Sequence, residues 1–243
     1  VVLDRPNPIN GIDVDGPILD EGRQSFVGFH TLPVRHGMTV GELARMFKSE
    51  LQLNVDLHIV PVEGWSRQQF FDDSGLIWVD PSPNMRNLNQ ALLYPGIGLL
   101  ETTNLSVGRG TDTPFERIGA PWLDVPALAR ALTQCRLPGV RFTPLDFQPT
   151  ASVYKGTRCH GVQILITDRR ALRPIAVGLQ IATILREMYP QQWEVAKYDR
   201  LLANKAVWTA VRRARPLDEI RALYKTQLQQ FRRRRAAFLL YPE

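Results

Sequence analysis

Residues 161–190, GVQILITDRRALRPIAVGLQIATILREMYP, decide the fold class. Gly161 to Thr167 is apolar and branched apart from Gln163, which predicts a β-strand. A polar turn follows. Pro174 then opens a helix, at a position where its missing N–H leaves no bond unmade. Ile175, Leu179, Ile181, Ala182 and Leu185 carry its apolar stripe, and Pro190 closes it. Upstream, Val140–Phe147 reads as another strand. Asp124 caps a helix with Pro126 in its first turn, running through Leu128 and Leu132 toward Cys135. Downstream, short helices over 198–202 and 205–213 lead to Pro216. A final helix starts there and runs to about Leu239, with Ile220, Leu223, Tyr224, Leu228, Phe231 and Phe238 as its stripe. Strands alternating with helices, then a helical end, give an α/β or α+β domain.

The N-terminal part is less regular. Val1–Leu3 reads as a strand running into a Pro/Asn loop. Asp4, Arg5, Asn7 and Asn10 lie just past its carboxyl end, where open α/β sheets collect ligand groups. An Asp–Arg pair with Asx-turns is the plainer reading. Gly11–Gly22 is irregular, and Ser25–His30 is a candidate short strand. Thr39-x-x-Glu42 is a capping box that opens a helix with Val40, Leu43, Ala44, Phe47 and Leu51 on one side. His36 stands just before that helix, whose free N–H groups suit an anion. Val55–Val62 alternates as a strand and leads to Gly64-Trp65-Ser66-Arg67. Trp65 could stack on a sugar ring and Arg67 could bind a charged substituent; a core Trp with its Arg on the rim is the alternative.

Tyr94–Trp122 follows a short apolar helical segment at Leu88–Leu93 and reads as a long loop. It is rich in Gly and Pro and carries Thr102, Thr103, Asn104, Ser106 and Thr111 as short hydrogen-bonding side chains. Arg109, between Gly108 and Gly110, offers a planar fork to a carboxylate. Glu101 and Glu116 are the carboxyl groups close to that polar run. A loop of this length is usually functional or disordered, and Phe115, Ile118 and Trp122 argue against disorder. The simpler alternative is a connection in which Glu and Arg pair with each other.

With 243 residues and 44% hydrophobic content, the chain can bury one large domain core. No apolar run reaches the roughly 18 residues of a membrane span. Val1-Val2-Leu3 has neither the basic start nor the apolar length of a signal peptide, and the missing initiator Met suggests a cut end. The net charge of +6 is concentrated after Arg200 and includes Arg232–Arg235. It would suit an anionic polymer or surface, or simply a solvated helix face whose cations favour the helix C-terminus. No nucleic-acid-binding motif accompanies it, so nucleic acid is not the expected partner. Cys135 and Cys159 lack metal-ligand spacing and read as buried thiols, with a disulfide the alternative. No metal or organic cofactor is implied.

Several blocks carry a resemblance. They are residues 2–11 (VLDRPNPING), 33–43 (PVRHGMTVGEL), 64–67 (GWSR), 81–85 (PSPNM) and 94–96 (YPG). They continue through 101–106 (ETTNLS), 108–111 (GRGT), 114–116 (PFE), 118–122 (IGAPW), 160–162 (HGV) and 238–241 (FLLY). Together they resemble the exo-acting β-N-acetylmuramidase (NamZ) family of peptidoglycan-turnover enzymes over essentially the whole chain.

The resemblance implies a glycoside hydrolase that releases N-acetylmuramic acid from non-reducing ends of peptidoglycan fragments, in a periplasmic or secreted setting, with muropeptides or disaccharides as partners. It implies a Rossmann-like N-terminal lobe and a C-terminal α/β lobe. On that reading residues 1–22 are the last strand of the otherwise absent first lobe plus a linker, and 23–243 are the C-terminal α/β lobe with its helical end. The family's upstream Gly-Pro-Glu-His-Gly segment, which carries its favoured acid/base, and its Asp-x-Gln-Asp segment are not in this sequence. Val107 stands where the family pattern usually has Glu.

Glycoside hydrolysis normally uses two flanking carboxyl groups, so Glu101 is the first catalytic candidate and Glu116 the second, with loop anchoring as Glu116's alternative role. Arg109, then Arg67, would take the lactyl carboxylate. Trp65 would stack on the ring, and Asn84 and Asn104 would bind the acetamido group or hydroxyls. Asp4, Arg5, Asn7 and His36 complete the expected binding set. A sugar-binding protein without hydrolytic activity is the alternative.

Overall fold

The structure is a computed structural model and describes residues 1–242. It is a mixed α/β fold with strands β1 (Val2–Leu3), β2 (Asp15–Ile18), β3 (Pro33–Arg35), β4 (Ile59–Val60), β5 (Arg117–Ala120), β6 (Val140–Phe147) and β7 (Cys159–Ile166). Its helices are α1 (Val40–Glu50), α2 (Leu88–Ile97), α3 (Val125–Gln134), α4 (Pro174–Met188), α5 (Asp199–Leu202), α6 (Lys205–Arg212) and α7 (Leu217–Ala236). β1 and β4 pair in parallel, β2 and β3 antiparallel, and β5-β7-β6 form an antiparallel sheet.

In that sheet Phe142 lies opposite Ile164 and Asp146 opposite His160, while Gly119 faces Gly161 across β5 and β7. Val162 and Ile164 of β7 are buried together with Leu128 and Leu132 of α3. One contiguous hydrophobic core runs from Val14 and Met46 to Phe231.

Expected elements and observed ones differ where local pattern meets packing. Val55–Val62 contributes only Ile59–Val60 as strand. Ser25–His30 is a turn closed by one Ser25–Gly28 bridge. Leu223 lies outside the buried stripe of α7 and is exposed. The largest difference is in Tyr94–Trp122, which is not a long irregular loop. Tyr94–Ile97 completes α2, with Pro95 inside the helix. A 3-10 turn spans Gly98–Leu100, Ser106 bridges to Gly119, and Arg117–Ala120 is strand.

A proline inside a helix costs roughly 3 kcal/mol through its lost hydrogen bond. Burial of Leu92, Leu93, Pro95 and Ile97 against α4 opposes that cost. Gly96 permits the contact. A Cβ on Gly96 would stand 1.8 Å from the Pro174 carbonyl oxygen, and one on Gly178 would stand 2.3 Å from the Gly96 oxygen.

The Arg-rich end of α7 is an internal tie as well as a charged helix terminus. Arg232 donates to the Val14 carbonyl, Arg234 pairs with Glu50 at 2.6 Å, and buried Arg235 donates to the carbonyls of Gly11, His36 and Gly37. Both cysteines are free thiols.

Candidate active site

Glu101 and Arg109 are one ion pair. Both Nε and Nη2 of Arg109 donate to Oε2 of Glu101, at 3.0 and 2.8 Å. The pairing of Glu with Arg, the simpler sequence reading, is therefore present, and its carboxylate half lines a cleft. Gly108 and Gly110 hold the arginine out from a turn with φ of 81° and 79°, which favours glycine. The guanidinium carbon lies 5.2 Å from the centroid of the Phe115 ring, and Tyr94 packs edge-on against Phe115 at 4.8 Å. Among the described residues no group donates to Oε1 of Glu101, and Nη1 of Arg109 makes no hydrogen bond. One acceptor and one donor of the pair are thus left for a ligand.

Glu101 lines a cleft of about 400 Å³ together with Tyr94, His36, His30, Phe29 and Leu201. Burial, and then the nearby Glu101 carboxylate, push the Tyr94 phenol above its ordinary pKa. It is therefore a hydrogen-bond donor at any physiological pH. His36 is held by the Met38 N–H, which donates to Nδ1 at 3.1 Å. The neutral ring then carries its proton on Nε2. Burial, followed by the Arg235 charge, lowers its pKa to about 4. Glu101 is the one carboxyl residue on this cleft's wall among the described residues.

The other expected residues are spread over the fold and committed to it. Asp4 fills the anion position at the N-terminus of α1. Its carboxylate accepts from the Gly41 N–H at 2.8 Å, the Thr39 hydroxyl at 2.7 Å and the Tyr241 hydroxyl at 2.5 Å. The anion expected beside His36 is supplied by the chain itself. Arg5 is exposed, with no side-chain partner among the described residues. Asn7 forms an Asx-turn and donates to the Met38 carbonyl.

Trp65 and Arg67 are corrected most clearly. Trp65 is buried edge-on against Tyr241, with no open face for a sugar. Arg67 is completely buried. It pairs with Glu42 at 2.5 Å and donates to the carbonyls of Gly11 and Gly37. In the sequence the capping box explained Glu42, so its second role was hidden. The Glu42 carboxylate also accepts from the Leu240 N–H.

Glu116 accepts from the side chains of Asn87 and Gln90 and so anchors its segment to the start of α2. Asn104 clamps the Gln192 carbonyl and the Glu194 N–H. Asn84 is half-buried, and its side chain makes no contact with the Glu101 cleft. Tyr94, Phe29, His30 and Leu201 are among the cleft residues outside the expected set. Tyr94 was visible only as part of the Tyr94-Pro95-Gly96 block, and Phe29 carried no signal beyond being aromatic. Among the described residues no group of three or more His, Cys, Asp or Glu could hold a metal ion.

An α/β protein whose aromatic-edged cleft carries a carboxylate ion-paired with a guanidinium is the class this geometry defines. The family model described as "Exo-beta-N-acetylmuramidase NamZ, C-terminal" matches residues 92–241, and the one described as "Exo-beta-N-acetylmuramidase NamZ, N-terminal" matches residues 1–89. The chain belongs to the NamZ family. It is 41% identical over 244 residues to the peptidoglycan beta-N-acetylmuramidase NamZ of Bacillus subtilis (strain 168), covering 99% of this chain and 59% of that protein.

Two crystal structures of DUF1343 family proteins from Bacteroides fragilis are similar. One superimposes with a TM-score of 0.90 at 29% identity, over 98% of this chain and 65% of its own. The other gives 0.77 at 28% identity, over 99% and 66%. The chain thus spans about three-fifths to two-thirds of the length of these relatives.

Proposed function

We propose that this chain forms the sugar-binding part of a β-N-acetylmuramidase that removes N-acetylmuramic acid from non-reducing ends of peptidoglycan fragments, in the periplasm or outside the cell. The observation that carries the proposal is Glu101 on the cleft wall, ion-paired with Arg109, with one oxygen and one guanidinium nitrogen of the pair unused among the described residues. Relatedness to the Bacillus muramidase supports the substrate class. N-acetylmuramic acid carries a lactyl carboxylate, which Nη1 of Arg109 can take by a charge-assisted bond. The sugar then sits against Tyr94 and Phe29, with His36 Nε2 as a neutral donor. Glu101 acts on the glycosidic carbon or its attacking water through Oε1.

A non-catalytic sugar-binding role is the second reading, and one observation favours it. Hydrolysis of a glycosidic bond normally takes two carboxyl groups, roughly 5–9.5 Å apart. Among the described residues the cleft wall provides Glu101 alone, while Glu116 is engaged with Asn87 and Gln90. The test is hydrolysis of a chromogenic β-N-acetylmuramic acid glycoside by the 243-residue chain and by Glu101→Gln. Activity in the first and its loss in the second support catalysis by this chain. Tight binding of N-acetylmuramic acid with no hydrolysis supports the binding role. Neither binding nor hydrolysis removes the sugar site from this cleft.

A further inference from the structure

A second cleft, of about 570 Å³, lies between the β2–β3 hairpin and α7 and shares no lining residue with the Glu101 cleft. Cations gather on it. Arg221, Lys225 and Arg232 project from one side of α7 at spacings of four and seven residues. Arg173 comes from the start of α4 and Arg35 from β3. Arg35 is already paired with Asp13 at 3.1 Å. The other four make no ion pair with a carboxylate among the described residues. Arg173 donates only to the carbonyls of Arg170 and Leu172, and Arg232 to that of Val14.

The remaining acids on the wall, Asp15 and Asp218, likewise form no ion pair. Four cations without an ion pair against two such carboxylates leave an excess of two positive charges among the described residues.

Among the described residues one buried polar atom on the same wall lacks a hydrogen bond: Nε of Arg35, whose side chain is 4% exposed. Buried polar atoms are almost always satisfied, so this orphan calls for an explanation. Arg35 is also held near a like charge. Burial lowers its pKa, Asp13 and Asp15 raise it, and the Arg173 guanidinium lowers it again. Converging guanidinium groups without carboxylate partners are stabilised by an oxyanion, which their planar forks bind bidentately.

We infer that this cleft is a binding site for an oxyanion of two or more negative charges, held by Arg173, Arg221, Lys225 and Arg232. Phosphate groups and multiple carboxylates share that chemistry. The inference is independent of the proposed sugar chemistry, since it neither uses nor requires the Glu101 cleft.

The test is calorimetric titration of the 243-residue chain with inorganic pyrophosphate and, separately, with citrate, at one constant ionic strength set by sodium chloride. Arg221→Ala/Lys225→Ala removes two exposed cationic heads from the cleft. Arg200→Ala/Arg233→Ala removes two exposed charges that do not line it. Saturable binding that falls tenfold or more in the first double variant and is kept in the second is the expected result. Binding of pyrophosphate alone assigns phosphate as the ligand group, of citrate alone carboxylate, and of both a general oxyanion site. The inference is overturned if neither anion saturates the chain, or if both double variants lose affinity equally. Loss of hydrolysis or sugar binding elsewhere would leave this result unaffected.

Discussion

Nη1 of Arg67 lies 2.5 Å from Oε1 of Glu42, and both side chains are completely inaccessible to solvent. The pair joins the segment after Trp65 to the first turn of α1, and through the Leu240 N–H it also joins the C-terminal segment. Two charges withdrawn from water gain stability only when every donor and acceptor is satisfied. Here Gly11, Gly37, Thr39 and Leu240 complete the set. Arg67→Met leaves the Glu42 carboxylate buried without its cation, so it is expected to cost about 3–5 kcal/mol. Urea denaturation reads this as a lower midpoint at unchanged slope. A loss below about 1 kcal/mol would mean the pair is not buried as described.

The Arg109–Glu101 pair makes a prediction about specificity. Arg109→Ala removes a charged hydrogen bond to a lactyl carboxylate, worth roughly 1.5–3 kcal/mol. Binding of N-acetylmuramic acid ligands is expected to weaken roughly tenfold or more, while N-acetylglucosamine ligands, which lack that carboxylate, change little. Parallel titrations of the two sugars make the comparison. Equal losses would take Arg109 out of the carboxylate-binding role.

Gly96 and Gly22 separate two reasons for glycine. Gly96→Ala sets a methyl group 1.8 Å from the Pro174 oxygen at the α2–α4 contact, so the helices must part. Overpacking of this kind costs typically 1–3 kcal/mol or more. At Gly22 an added Cβ meets nothing within 4 Å, and only the φ of 76° opposes it. Gly22→Ala should cost about 1 kcal/mol. Thermal denaturation of the two variants should therefore show the larger loss at Gly96, and the reverse order would contradict the close helix crossing.

His36 makes stability depend on pH. Its folded pKa of about 4 lies below the ordinary value of 6.5, because burial and Arg235 disfavour the imidazolium. Between these two values the unfolded chain holds more protons at this site than the folded one. Stability from this group is thus fully present above about pH 6.5 and falls as pH drops toward 4. The expected loss is about 2 kcal/mol, allowing for its partial exposure. Protonation at Nδ1 would also break the bond from the Met38 N–H. Urea midpoints at pH 7 and pH 4.5 for the native chain and His36→Asn provide the measurement. The native chain should lose more stability than the variant. Equal losses would place the acid sensitivity elsewhere.

Much of the fold was legible in local pattern because it is decided locally. Val140–Phe147, the helix after Asp124, the helix opened by Pro174 and the Thr39–Glu42 capping box all follow from side-chain periodicity and caps within a few residues. So does the family, whose blocks are runs of adjacent residues. Pairings between distant segments were not legible. Asp4 reads as a ligand-binding residue until Gly41, Thr39 and Tyr241 are seen around it. Trp65 and Arg67 read as a sugar platform until Tyr241 is seen against the ring and Glu42 on the guanidinium.

By itself, then, the sequence determined the α/β class, most helices, the family and the nomination of Glu101 and Arg109. Tertiary structure alone decided that these two share an ion pair, that Glu101 lines a cleft with His36 and Tyr94, and that Arg67 belongs to the interior. It also decided that Tyr94 continues a helix through Pro95. The reason is range. Periodicity and capping act over one or two helical turns, whereas burial and charge pairing depend on which distant segments the fold brings together, and a linear pattern carries no record of that.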